Sequence, residues 1–199
     1  DARKVGANPS VTTVMGDIDK PGLRQWIRNR DIETALRMPT LINVEDKIAR
    51  VREEADAYAK WAADFGTAVH FGISSGLNGE QWWPADEDAA AVVEAFWPWY
   101  HAAGLKVTRS EHSFISPLGF AGTVDAEGED FILDFKTQDF DDPKDANIYD
   151  EHWLQLAGYA VGTEQQHKKR YEVIISRTKP GLVKLHAWKP EDYARHDAA

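Results

Sequence analysis

The sequence predicts an α/β (α+β) fold, a central mixed β-sheet flanked by α-helices, from three observations. Residues 44 to 100 place apolar side chains every three or four positions, the spacing of amphipathic helices. After Gly104 the spacing changes to two over three successive stretches, as in strands. A helical stretch, two further strands and a closing helix follow, an alternation that packs as helices over one sheet.

Ser10-Val-Thr-Thr-Val-Met is short and β-branched, and reads as a strand or an extended segment. Asp19, Lys20 and Pro21 resemble a helix entry leading into Leu23, Trp26 and Ile27, which share one helical face. From Val44 to about His70, the positions Ile48, Val51, Ala55, Tyr58, Ala62 and Phe65 mark a long amphipathic helix, with a break expected near Gly66. In the next helix Pro84 suits the first turn, and Asp86, Glu87 and Asp88 complement the N-terminal dipole. Val92, Val93, Phe96, Trp97 and Tyr100 supply its apolar stripe before Gly104, and Pro98 is expected to kink or shorten it.

Three strands are expected at Leu105 to Ile115, Gly119 to Asp125 and Asp130 to Lys136, the last two joined by a hairpin turn through Ala126-Glu-Gly-Glu-Asp. Trp153 to Val161 reads as a helix, Tyr171 to Ser176 and Val183 to Trp188 as strands, and Pro190 as the first turn of a closing helix.

The chain has 199 residues, 43% of them hydrophobic, with eight Trp, eight Phe and six Tyr, enough for one domain over residues 1–199. No repeat, low-complexity tract or linker divides it. The absence of Cys excludes disulfides, zinc–thiolate sites and Cys-ligated iron–sulfur clusters within the chain, so a metal must sit on oxygen or imidazole. No run approaches the roughly 18 to 20 apolar residues of a membrane span, and the start lacks a signal-peptide pattern. The expectation is a soluble intracellular protein with no membrane partner, whose residue 1 need not be the biological start. A net charge of −10 opposes nonspecific nucleic-acid binding by a broadly basic surface; such binding would need cations concentrated in one cleft.

The strongest chemical signal is Gly122-Thr-Val-Asp125, a turn, and Ile132-Leu-Asp134-Phe-Lys136-Thr137. Asp134 and Lys136 leave a strand on the same face, with Leu133 and Phe135 turned the other way toward core. If Asp125 ends the preceding strand, its carboxylate can approach Asp134 and form an acidic pair suited to a hard divalent cation such as Mg²⁺. Lys136 can then orient or help deprotonate an attacking water, or stabilise charge growing on a phosphate. The plainer reading is a solvated Asp–Lys pair worth under about 1 kcal/mol. Gln155 and Tyr159, four apart on a helix, share a face and can contact phosphate or position Lys136.

Taken in order, Gly66-Thr-Ala-Val-His70, Gly122-Thr-Val-Asp125, Asp134-Phe-Lys136-Thr137 and Gln155-Leu-Ala-Gly-Tyr159 resemble the RecB-like branch of PD-(D/E)xK nucleases. Pro9-Ser-Val-Thr-Thr-Val and Leu23-Arg-Gln-Trp26 look similar to the opening of small members, such as the mitochondrial genome maintenance exonuclease and its phage and bacterial relatives. The resemblance covers residues 9 to 160. It implies a restriction-endonuclease-like core and a metal held by His70, Asp125, Asp134 and the main-chain carbonyl of Phe135, with Lys136 as the catalytic lysine. Glu111, on an earlier strand, matches an acidic position in relatives and either binds a second metal or water or is a solvated strand charge. The resemblance places Gln155 and Tyr159 at the border of the active site, and Thr137 is a candidate phosphate donor, as are Ser10 and Thr12.

The implied activity is hydrolysis of DNA phosphodiester bonds, exonucleolytic on single strands or ends, with Mg²⁺ or Mn²⁺ and no iron–sulfur cluster, in replication, recombination or repair in a bacterial or phage-infected cytoplasm. The competing readings are a DNA-end-binding module that does not cut, and an acid/base hydrolase using paired Asp, which leaves Lys136 unexplained. Other features divide between roles. Trp82-Trp83-Pro84 and Phe96-Trp97-Pro98-Trp99-Tyr100 can stack on bases or fill the core. Lys168-Lys-Arg170 can touch DNA or form a solvated turn, and Asp139, Asp141, Asp142 and Asp145 read as a structural loop.

Overall fold

Five strands form one sheet in the order β1-β2-β3-β4-β5, comprising Arg109–Ile115, Ala121–Glu127, Phe131–Gln138, Lys169–Ser176 and Val183–Ala187. All neighbours are antiparallel except β3 and β4, which run parallel because a helix, α5 (Asp150–Gly162), carries the chain from one to the other. The computed structural model describes residues 8–17, 21–38 and 43–198. The remaining helices are α1 (Val11–Val14), α2 (Pro21–Arg37), α3 (Val44–Leu77), α4 (Glu87–Ala103) and α6 (Tyr193–Asp197). This is the mixed sheet with flanking helices that the periodicity predicts.

The two faces of β3 explain the layers. Phe96 of α4 is fully buried and meets Phe135 edge-on at 5.9 Å, so the Phe135 side of the strand looks toward α4. On the other side Ile132 joins Val11, Met15, Val124, Leu156, Tyr159 and Ala160 in a buried cluster beneath α5. Each such aromatic or aliphatic side chain withdrawn from water contributes about 1.5 to 3 kcal/mol. That alternation, apolar on both sides, makes β3 the central strand of the sheet.

The chain divides into two compact units, one of Asp1–Ile18 with Ala68–Ala199, the other of Asp19–Thr67. The smaller unit is ordered by aromatics: Trp26 of α2 lies 5.8 Å from Tyr58 of α3, the Arg30 guanidinium sits 3.6 Å over the Tyr58 ring, and Trp61 and Phe65 continue the row. The larger unit contains the sheet and every candidate site residue.

Several local expectations are corrected. Ser10 is extended and bridges Ala121, but Val11 to Met15 is helical: Ser10 caps α1 by accepting from the Thr13 amide, while Val11 and Met15 are drawn into the cluster under α5. Tertiary burial outweighs β-branched propensity here. α2 begins at Pro21 as its fixed φ favours, whereas Asp19 and Lys20 lie outside the described residues. α3 continues through Gly66 to Leu77, because the apolar spacing persists at Val69 and Ile73 and outweighs the roughly 1 kcal/mol cost of an interior glycine.

The next helix starts after an Asp86 cap and not at Pro84, and it runs through Pro98 to a left-handed Gly104. Pro98 frees only the Glu94 carbonyl, and both residues are exposed, so water can take the bond. The β2–β3 turn is tighter than expected, since Glu127 still pairs with Ile132.

Two glycines of α3 are required by packing. Trp82 covers Gly72 and Trp97 covers Gly76, and a Cβ at Gly76 would overlap the Trp97 indole. Gly76→Ala should therefore destabilise the fold by about 1 to 3 kcal/mol, as overpacking does, with Gly16→Ala, which meets nothing within 4 Å, as the control. Thermal denaturation of both variants checks this; equal melting temperatures would refute it.

Candidate active site

Both ladders that flank β2 are interrupted at the same residue. Between β1 and β2, Ser110 pairs with Ala126 and His112 with Val124, but the intervening Glu111 and Asp125 form no ladder pair. Glu111 has φ 50°, a left-handed conformation that non-glycine residues rarely adopt and that tends to occur at functional sites. Between β2 and β3 the ladder stops at Ala126 and Leu133. Beyond it, the Phe135 amide donates not to a β2 carbonyl but to Asp125 Oδ2, at 2.7 Å. One further step in that register sets Asp125 opposite Asp134.

From Asp134 a chain of polar contacts leads to α5. Asp134 is 1% exposed and pairs with the Lys136 ammonium. Lys136 Nζ donates to Gln155 Oε1 at 3.0 Å, and Gln155 Nε2 donates to the Tyr159 hydroxyl at 2.5 Å. On the other side His70 Nδ1 lies 3.5 Å from Asp125 Oδ2, and the His70 ring meets the Phe135 ring edge-on at 5.9 Å. His70, Asp125, Asp134, Phe135, Lys136, Gln155 and Tyr159 are thus brought together.

The electrostatics follow from burial. Asp125 is held well above the ordinary carboxylate range, first by burial and then by the negative charge of Asp134; Lys136 and the Phe135 amide pull it back, and nearby Glu111 adds to the rise. Burial also raises Glu111. For Lys136 burial disfavours the ammonium, but Asp134, Asp125 and Glu172 outweigh it, and its pKa is raised. Burial brings His70 down to about 4, against the pull of Asp134, so the imidazole is neutral at neutral pH.

The donor types fit a hard divalent cation. Two carboxylates and a main-chain carbonyl are oxygen donors of the kind Mg²⁺ takes, and neutral His70 has a lone pair to offer. Asp134 Oδ1 is buried without a hydrogen-bond partner. Among the described residues, however, no three His, Asp or Glu side chains are already gathered about one point. Lys136 lies on Asp134 Oδ2, and the Phe135 amide occupies Asp125 Oδ2.

No protein-family profile matches the chain, and no curated protein matches it either. Two solved structures show a distant likeness. One is the crystal structure of SSO0001, 16% identical over 88% of this chain and 82% of that chain, with a TM-score of 0.40. Another is an alkaline exonuclease from Laribacter hongkongensis, 14% identical over 88% of this chain and 87% of that chain, with a TM-score of 0.41. At that degree of likeness the site must be read from its own geometry.

Other expected residues are distributed differently. Thr137 lies on the face of β3 opposite Lys136, and the Ser10 hydroxyl bonds those of Thr12 and Thr13. Lys168-Lys-Arg170 divides at the start of β4: Lys168 pairs with Glu127 and buried Arg170 with Asp197, while Lys169 stays exposed in a surface pair with Asp130. The Asp139 and Asp141 carboxylates pair with Arg177 and Lys179, in keeping with a structural loop. Phe96 fills the core while Trp83 is 79% exposed.

Sequence reasoning missed one buried pair beside the site. Glu172 of β4 is fully buried, is the register neighbour of Asp134, and pairs with His152 of α5. Two signals were available: a charge inside the apolar run Tyr171 to Ser176, and a His three residues before Gln155 on the same helical face.

The neutral state of His70 has a pH consequence for the metal-free protein. Below pH 6.5 the unfolded chain accepts a proton that the folded site resists until about 4. Stability from this residue is complete above 6.5 and is lost as pH falls through that window, by at most about 3 kcal/mol since the side chain is partly exposed. Urea denaturation in EDTA should show a flatter pH dependence between 6.5 and 4 in His70→Gln than in the parent; parallel curves would contradict the assignment.

Proposed function

We propose that this chain is a metal-dependent deoxyribonuclease that hydrolyses phosphodiester bonds, acting on single-stranded DNA or DNA ends. The observation that supports this most directly is the Asp125–Asp134 pair, Asp134 buried and Asp125 half-buried and tied to β3 by the Phe135 amide, with the Lys136 ammonium held beside it by Gln155. An ordinary surface Asp–Lys pair would be solvated, and this one is not.

Asp125, Asp134, the Phe135 carbonyl and His70 would hold Mg²⁺ or Mn²⁺, with Glu111 in reach of a second ion or a bound water. When bound, the metal supplies positive charge against the scissile phosphate and lowers the pKa of water. The raised pKa of Lys136 keeps it an ammonium. An ammonium there can donate hydrogen bonds and stabilise charge developing on phosphorus-bound oxygen. Gln155 fixes the direction of that ammonium and Tyr159 fixes Gln155, leaving the α5 edge to meet the DNA backbone. The order of motifs from His70 to Tyr159 supports assignment to the RecB-like branch of PD-(D/E)xK nucleases, and with it a role in replication, recombination or repair.

Labelled linear single-stranded DNA should be degraded with Mg²⁺ or Mn²⁺ and be stable in EDTA. Asp134→Ala and Lys136→Ala should each lower the rate by at least about a hundredfold while circular dichroism shows an unchanged fold. An exonuclease leaves circular single strands intact. Retained DNA binding with no cleavage under either metal would instead identify a non-cutting end-binding module.

A further inference from the structure

We propose that His152 and Glu172 form a positioning pair that clamps α5 to β4 and so holds Gln155 against the Lys136 ammonium. The proposal rests on the nuclease reading for its catalytic consequence, but its geometry stands on separate residues.

His152 is 8% exposed, and its Nδ1 pairs with Glu172 Oε1. Glu172 is fully buried, and its second oxygen, Oε2, has no hydrogen-bond partner. Such a carboxylate in the middle of a sheet is a liability to folding unless it is used. β4 sets Glu172 beside Asp134 and Ile174 beside Lys136, so the pair lies one strand away from the reactive carboxylate.

On α5, His152, Gln155 and Tyr159 fall at i, i+3 and i+7, one face of the helix. The same helix is thus tied to two adjacent strands: to β4 through His152–Glu172, and to β3 through Gln155–Lys136. Tyr149 meets the His152 ring edge-on at 5.2 Å and restricts its orientation. α5 begins without a side-chain cap, and the His152–Glu172 pair ties its first turn to β4. A small movement there shifts Gln155, one turn on, and the ammonium it orients.

The test compares His152→Leu, which keeps bulk and loses the hydrogen bond, with His152→Asn, whose amide nitrogen stands where Nδ1 was. Glu172→Gln keeps an acceptor for the His. Two readouts are followed: steady-state cleavage of a labelled single-stranded oligonucleotide with Mg²⁺, and the Gln155 carboxamide signals in proton–nitrogen NMR correlation spectra without metal. His152→Leu should lower kcat at least about tenfold with KM within about twofold, and should move the Gln155 signals. His152→Asn and Glu172→Gln should restore both to near the parent.

The proposal is overturned if the Gln155 signals stay in place in His152→Leu, or if His152→Asn loses as much kcat as His152→Leu. Should His152→Leu not fold, Glu172→Gln decides alone: a loss of kcat matching that of Lys136→Ala overturns the clamp. If the parent protein cleaves no DNA at all, the nuclease reading fails, while the Gln155 signals still decide whether the pair positions α5.

Discussion

The arrangement depends on one hydrogen bond, from the Phe135 amide to the Asp125 carboxylate. In a regular antiparallel sheet that amide would be satisfied by a carbonyl of the neighbouring strand. Because a side chain takes it instead, the ladder need not close at this end, yet the Phe135 amide is not left unpaired. The same bond fixes the position of an acidic group that burial would otherwise make costly to retain. His70 lies 3.5 Å from that carboxylate, whose charge helps to raise the pKa of Lys136, while Glu111 in turn helps to raise the pKa of Asp125 itself.

Helices and strands long enough to show several periods were legible in the sequence, and both layers of the sheet followed from the alternation at Ile132 to Lys136. Short segments were not. Ser10 to Met15 has strand-like residues, but Val11 and Met15 become helical because they gain the cluster beneath α5, a gain that no local rule contains. Gly66 and Pro98 were read as interruptions since each weakens an isolated helix; in α3 and α4 tertiary packing supplies more than they remove.

Within the site, pairs on one element were readable because spacing alone places them: Asp134 with Lys136, and Gln155 with Tyr159. The link between those pairs, Lys136 to Gln155, crosses from strand to helix and depends on how α5 is seated. His152 and Glu172 were overlooked for a related reason. Each looks ordinary within its own element, and their significance arises only when the parallel register of β3 and β4 brings Glu172 beside Asp134. Glu111 was visible as an acidic strand residue, whereas its left-handed backbone was not, since it coincides with a gap in the β1–β2 ladder that no local pattern marks.

The burial of Arg170 and the pairing of Lys168 with Glu127 bear on how the molecule would respond to ionic strength. Cations neutralised by internal carboxylates displace few of the small ions condensed along a polyanion, and that displacement is what makes such association steeply sensitive to added electrolyte. Committed in this way, Lys168 and Arg170 would add little to the salt dependence of any association with a charged polymer.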